Sequence, residues 1–194
     1  MKKWCIVLIL TLGMVSLATA AESEKRVVKP ALLVIDVQNE YLPMMDEQDR
    51  REALDNINVY IQLFRLYKMP VIRIYHTDLQ GGPPPGSEPF EFPKSVLIQD
   101  SDLKVVKNYG NAFKKTELDR LLRERGINTL FLCGLSATAC VLATYHGAID
   151  NDYDTYLLKD ALLSGQAELT RAVQSICRTV GYWPLKLILE LCKP

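Results

Sequence analysis

Ala31-Leu32-Leu33-Val34-Ile35 is an unbroken apolar run that ends directly at Asp36. A strand apolar at every position buries both of its faces, as happens in a parallel sheet covered by helices and not in a sheet with one wet face. The residues that follow supply the cover. Leu54, Ile57, Ile61 and Phe64 recur at helical spacing, which predicts a helix of about twenty residues ending before Pro70. Val71-Ile72-Arg73-Ile74-Tyr75 predicts the second strand. Strand, helix and strand in this order form a βαβ unit with a right-handed crossover.

The rhythm pauses at residues 77–103, where Gly81, Gly82 and Gly86 stand among five prolines. No regular element is predicted there, and the stretch reads either as a loop covering a site or as a surface insertion. The pattern resumes with a short strand at Lys104–Lys107 and a helix opening at Thr116, where Thr116 and Asp119 resemble a capping box and Gly126 closes the helix. A strand at Thr129–Cys133, a helix from near Thr138, a strand at Thr155–Leu158 and a helix from Gln166 follow. In that last helix Leu169, Ala172, Val173, Ile176, Cys177 and Val180 form one stripe, which places Cys177 against the core. The apolar tail Leu185–Leu191 fits either a sixth strand or a helix. The alternation predicts a single α/β domain, a three-layer α/β/α sandwich with a mainly parallel sheet.

Composition bounds what such a domain does. The 194 residues carry 23 basic and 23 acidic side chains, with no lysine or arginine run longer than two. A nucleic-acid backbone would have no positive face to bind, so nucleic acid is excluded as a partner. Lys2 and Lys3, an uncharged run from Trp4 to Leu17, and Ala18-Thr19-Ala20 have the layout of a secretory signal peptide. The run is shorter than the roughly 20 residues of a membrane-spanning helix, which disfavours the competing reading, an uncleaved anchor. Cleavage after Ala20 would leave a mature domain of residues 21–194 with net charge −2 in a periplasmic or secreted, oxidising location. It would also discard Cys5 and leave Cys133, Cys140, Cys177 and Cys192. An even number of cysteines invites a disulfide framework, with Cys177 and Cys192 as the pair to consider. The helical stripe argues against that pair by hiding Cys177.

Ligands of an open parallel sheet bind beyond the carboxyl ends of its strands. Three chemically useful groups fall on that rim: Asp36 after the first strand, Lys107 after the short strand, and Cys140 in the segment Gly134-Leu135-Ser136-Ala137-Thr138-Ala139-Cys140. Singly, each has a structural explanation. Together they supply a thiol nucleophile, a carboxylate to take its proton, and a helix N-terminus and lysine to lower the thiol pKa.

The segments Ala31–Asn39, Val106-Lys107 through Ala112-Phe113, and Gly134–Thr144 with Ala148 resemble the isochorismatase-like hydrolase superfamily over residues 30–165. The resemblance implies a nucleophile at Cys140, a general base at Asp36 and a lysine at Lys107 that steadies both. It also implies a cis peptide between Leu135 and Ser136 and an oxyanion hole from the backbone N–H groups of Ser136 and Cys140. The implied reaction is hydrolysis of a small amide, ureide or related C–N bond through a thioester. Members that cleave the vinyl ether of isochorismate lack this cysteine, which argues against that substrate. Nicotinamidases of the superfamily add a metal site from an aspartate and two histidines. Here the only histidines are His76 and His146 and no Asp-x-His occurs, so no metal and no other cofactor is expected. Gln38, Asn39, Tyr41, His76, Tyr109 and Phe113 are the candidates for the pocket wall. Similar proteins often form dimers or tetramers, so a homo-oligomer is considered beside the small-molecule substrate.

Other readings fit less of the sequence. Ser136 in Gly-x-Ser-x-Thr resembles a nucleophile elbow but lacks its second glycine. His146 lies six residues past Cys140, on a different helical face. A thiol redox protein would need a Cys-x-x-Cys pair, and none occurs. The alternative that keeps the fold is a non-catalytic exported small-molecule-binding protein, motivated by the oxidation risk to a reactive thiol outside the cytoplasm.

Overall fold

Six strands, β1 (Pro30–Ile35), β2 (Val71–His76), β3 (Leu103–Lys107), β4 (Thr129–Leu135), β5 (Asp154–Leu163) and β6 (Thr179–Val180), form one sheet in the order β3-β2-β1-β4-β5-β6. Every pairing is parallel. The computed structural model describes residues 27–193. The expected signal peptide, its cleavage site at Ala20 and Cys5 lie outside the described residues. Because β1 lies at the centre and the chain order reverses beside it, the carboxyl ends of β1 and β4 diverge into a crevice.

The apolar run of β1 divides between two cores. Leu32 and Val34 pack with Ile57, Ile61 and Phe64 of helix α1 (Glu47–Leu66) and with Leu185 and Leu189 of helix α5 (Tyr182–Leu191). Ala31, Leu33 and Ile35 pack on the opposite face with residues of α2 (Leu118–Glu124), α3 (Leu142–Asp150) and α4 (Ala167–Ile176). This is the three-layer sandwich expected from a strand apolar on both faces. Each fully buried aliphatic or aromatic side chain in these layers contributes roughly 1.5–3 kcal/mol relative to exposure. Helix α1 begins where the Asp46 carboxylate accepts hydrogen bonds from the N–H groups of Gln48 and Asp49, and it ends at Leu66 ahead of Pro70.

Gly134 fixes how closely β1 and β4 approach. Its φ is 113°, and a Cβ there would meet the Ile35 carbonyl oxygen at 2.1 Å. Only glycine fits this conformation and this spacing.

The C-terminal third departs from the sequence pattern. Helix α4 stops at Ile176, and Cys177 is extended (φ −104°, ψ 158°) so that the chain can rejoin the sheet as β6. The stripe predicted through Val180 is therefore interrupted. Val173 is buried, Ile176 is exposed, and Cys177 is only half-buried beside the α2/α3 core. The sixth strand is Thr179–Val180, and the apolar tail is helix α5. Cys133, Cys140, Cys177 and Cys192 are all free thiols, so no Cys177–Cys192 bridge forms. Thr116 accepts a hydrogen bond from the Leu118 N–H, but Asp119 does not close a capping box. Its carboxylate instead binds Arg123 and the Tyr153 hydroxyl.

Residues 77–103 contain one short 3₁₀ turn, Glu88–Phe90, yet they are firmly packed. Phe90, Phe92 and Val96 are buried, and Tyr75 stacks on Phe90 at 4.9 Å and meets Phe92 in a tilted contact at 4.6 Å between ring centroids. Three aromatic anchors explain how a proline-rich stretch without periodicity is held in place.

Candidate active site

Four neighbouring chain positions at the carboxyl rim converge. Lys107 ends β3, His76 ends β2, Asp36 follows β1, and Cys140 follows β4. Lys107 is fully buried, and its side chain reaches past the end of β2 to place Nζ 2.7 Å from Asp36 Oδ2 and 3.1 Å from His76 Nδ1. Asp36 adopts φ 52°, a left-handed conformation that aspartate tolerates better than most residues, while its N–H still donates to Ile74. After β4 the peptide bond between Leu135 and Ser136 is cis, and a π-helical turn, Ala137–Val141, carries Cys140 before α3 begins. Donor atoms of Asp36, His76 and Cys140 all lie within 4.8 Å of one another.

Burial dominates the electrostatics of this cluster. It raises the Asp36 carboxyl above the usual carboxylate range, against the opposing pull of Lys107. It also pushes the Cys140 thiol up to about 12, assisted by the negative charge of Asp36 and opposed by Lys107. The sequence had suggested that the helix start and the lysine would lower the thiol pKa. The lysine does pull that way, but desolvation and the neighbouring carboxylate outweigh it. His76 is held below the ordinary imidazole range, first by burial and then by Lys107. The second carboxylate oxygen, Asp36 Oδ1, is buried and accepts from no N–H or O–H group among the described residues, while the Cys140 thiol interacts with the Asp36 carboxylate. The resting arrangement is a protonated thiol beside an unusually basic oxygen, which suits proton transfer at the moment of attack rather than a preformed thiolate.

A cavity of about 250 Å³ opens onto these groups, lined by Asp36, Tyr41, Met44, Met45, His76, Leu135, Ser136 and Cys140. Its size suits a small molecule, below the usual range for drug-sized ligands. Of the expected wall residues, Tyr41 and His76 are present. Gln38 is not; it is buried behind the wall, donating to the His76 carbonyl and accepting from the His76 N–H. Asn39 turns outward to bind Glu88. Tyr109 lies beneath the ammonium groups of Lys114 and Lys115, and Phe113 packs on Tyr153 at 5.6 Å. Met44 and Met45 were not singled out by the sequence. The signal was Tyr41-Leu42-Pro43, where the proline starts a 3₁₀ turn (Leu42–Met44) that folds the methionines back toward the strand ends. The 77–103 stretch lines none of this cavity. It supports the wall from behind, with the carbonyls of Glu91 and Pro89 accepting from the N–H groups of Asn39 and Glu40.

The other features are accounted for differently. A roomier cleft of about 560 Å³ between α1 and α4 is lined by Asp49, Glu52, Asp55 and Arg171 among others, and neither a cysteine nor a histidine lines it. The Ser136 hydroxyl pairs with that of Thr138 at 3.3 Å, and His146 lines a separate shallow surface, so Ser136 and His146 do not meet. Asp36, His76 and Cys140 have donor spacing compatible with a metal ion. The Lys107 ammonium, however, already stands against Asp36 and His76, at the place such an ion would occupy. A buried cation there repels a second one, so these residues do not fit a metal.

Comparison with known proteins agrees with this geometry. The family model for the isochorismatase domain matches residues 30–181. The isochorismatase-family protein YddQ of Bacillus subtilis (strain 168) is 31% identical over 136 residues, covering 68% of this chain and 76% of YddQ. The ureidoacrylate amidohydrolase RutB of Klebsiella pneumoniae is 26% identical over 169 residues, covering 68% of this chain and 72% of RutB. Among solved structures, an isochorismatase-like protein of Burkholderia xenovorans LB400 superposes with a TM-score of 0.76 at 24% identity, covering 87% of this chain and 90% of that one.

Proposed function

The chain belongs to the isochorismatase family of hydrolases, and on that premise we propose that it cleaves a small amide, ureide or related C–N bond through a thioester on Cys140, with Asp36 as base and Lys107 as electrostatic support. The observation that carries this reading is the buried Asp36 carboxylate, held through Oδ2 by Lys107, with an oxygen within 4.8 Å of the Cys140 thiol and Oδ1 left without a conventional N–H or O–H donor. A carboxylate kept only for structure would have both oxygens satisfied. The relative RutB, an amidohydrolase by name, supports the same bond class.

In the proposed cycle Cys140 Sγ attacks the substrate carbonyl carbon while its proton passes to Asp36. The carbonyl electrons move onto oxygen, and the backbone N–H groups of Ser136 and Cys140 receive the oxyanion, a role whose single donors are worth about 3–4 kcal/mol elsewhere. Collapse of the adduct breaks the C–N bond, and the Asp36 proton leaves with the amine. Water then attacks the thioester, giving its proton to Asp36. The acid product departs as sulfur takes that proton back. Lys107 opposes the burial that raises the Asp36 carboxyl, and return of the proton to sulfur regenerates the base without a bulk proton.

Ammonia or amine release from a panel of small amides and ureides tests this. Wild type should turn over at least one, and Cys140→Ala and Asp36→Asn should lose at least about 10³-fold. Undiminished release by Cys140→Ala would overturn the mechanism. Tight ligand binding with no turnover would favour an exported binding protein instead. Export itself, to the periplasm or medium with cleavage after Ala20, is part of the proposal. N-terminal sequencing of the exported protein should begin at Ala21.

A further inference from the structure

Most of the cavity wall is apolar, contributed by Met44, Met45, Leu135 and the ring of Tyr41. His76 stands out in that wall. Its Nδ1 lies 3.1 Å from Lys107 Nζ. An ammonium group donates and has no lone pair to offer, so Nδ1 must be the acceptor and the ring proton must sit on Nε2. Burial and the same lysine keep the ring neutral at neutral pH. The backbone of His76 is clamped on both sides by the Gln38 amide, which fixes the base of the ring. Among the described residues Nε2 has no hydrogen-bond partner, and it is not among the fully buried unpartnered atoms, so it is accessible in the wall of the cavity that His76 lines. The result is a fixed N–H donor with no acceptor among the described residues, in a mostly apolar wall beside the thiol.

We propose that His76 is the specificity-determining residue of the site, its Nε2–H hydrogen-bonding an oxygen acceptor that the substrate carries next to the scissile carbonyl. Favoured substrates are then amides or ureides with a second carbonyl or carboxylate close to the C–N bond, and plain alkyl amides are disfavoured. A site built to hydrogen-bond a substrate oxygen rejects the analogue lacking it, because a donor that the bound analogue shuts off from water is left unpaired. This rests on the hydrolase reading above and names the substrate class for the same site.

Pyruvamide and isobutyramide test it, since they match in shape and heavy-atom count while only the first carries the extra oxygen. Intrinsic reactivity differs between them, so the readout is the change in their kcat/KM ratio on mutation. His76→Leu should reduce the preference for pyruvamide by about tenfold or more, mainly through KM, and His76→Gln, which keeps an acceptor and a donor, should restore much of it. Equal losses on both substrates, with the ratio unchanged, would make His76 merely structural and overturn the proposal. A second arm needs no turnover. In ¹⁵N-histidine-labelled Cys140→Ala protein, with His146→Gln to assign the two histidines, His76 should show the Nε2–H tautomer at pH 8. Pyruvamide, but not isobutyramide, should shift its Nε2 signal. An Nδ1–H tautomer, or no selective shift, would overturn the proposal even if wild type hydrolyses neither amide. The selective shift without hydrolysis would support it and count only against the reaction.

Discussion

Replacing Lys107 by methionine removes the cation that compensates Asp36 and leaves a side chain of similar volume, so little of the effect comes from packing. The two charges are 2.7 Å apart, with side chains 0% and 3% exposed. At an effective permittivity of 20, their gross attraction is about 6 kcal/mol. Desolvation offsets part of that attraction in wild type, but deleting one partner leaves the other charge buried and uncompensated. The expected destabilisation at pH 8 is about 3–5 kcal/mol, a large share of the 5–15 kcal/mol typical of a domain. The penalty should shrink at pH 5. Without the ammonium, the folded-state pKa of Asp36, already raised by burial, rises further. A carboxyl with a raised folded pKa contributes stability that is present below its unfolded value and lost as pH rises through the folded one. Urea unfolding followed by circular dichroism at both pH values measures this, with an unchanged m-value as the condition for reading midpoints as stability. The double variant Asp36→Asn/Lys107→Met should be more stable at pH 8 than Lys107→Met alone. A single-variant loss below about 1 kcal/mol at pH 8, or strict additivity in the cycle, would refute the reasoning.

The Cys140 thiol, pushed up to about 12, should be alkylated by iodoacetamide at a rate that keeps climbing from pH 7 to pH 10; a plateau near pH 7 would reveal a preformed thiolate. Gly134→Ala forces a Cβ toward the Ile35 carbonyl oxygen at 2.1 Å with φ at 113°, so a loss of at least about 3 kcal/mol in urea melts is expected. A loss under 1 kcal/mol would show that β1 and β4 separate easily. Gln38→Leu breaks two hydrogen bonds to the His76 backbone, at 2.7 and 3.0 Å, and should destabilise by about 2–3 kcal/mol. It should also raise KM on the active substrate more than it lowers kcat, and an unchanged KM would show that the clamp does not position the wall.

What was legible in the sequence was local or periodic. The two-sided apolar run of β1 and the stripe of α1 follow from burial on fixed periods, so the central sheet and its cover were readable. Asp36, Lys107 and Cys140 were readable because parallel topology carries strand ends to one rim whatever the loops do. The wall was not. The Pro43 turn is local, but the segment leading into it at Asn39 and Glu40 is bonded to Glu91 and Pro89, some fifty residues away in the chain, and spacing does not show that Met44 and Met45 thereby reach the cavity. Phe113 and Tyr109 follow Lys107 closely in sequence, but packing against Tyr153 and two lysines turns them elsewhere. Cys177 looked like core because its spacing continued a helix, and spacing does not reveal that the backbone turns extended one residue after Ile176. The thiol pKa was misjudged for a related reason. Lysine and helix start are visible in a sequence, whereas the depth of burial that outweighs them is not.

Lys107, His76 and Asp36 are held by strand ends, and Cys140 by the turn that leaves β4, whereas most of the apolar wall comes from Tyr41, Met44 and Met45 on one short turn. On the proposed reading the reacting groups and the polar contact of His76 are both set by the sheet, whereas most of the apolar fit to a substrate is local to one turn. Saturation of positions 41, 44 and 45 would explore substrate range while leaving the charge geometry intact. The apolar fit to a substrate can accordingly drift, by selection or by design, without the strand-end groups being rebuilt.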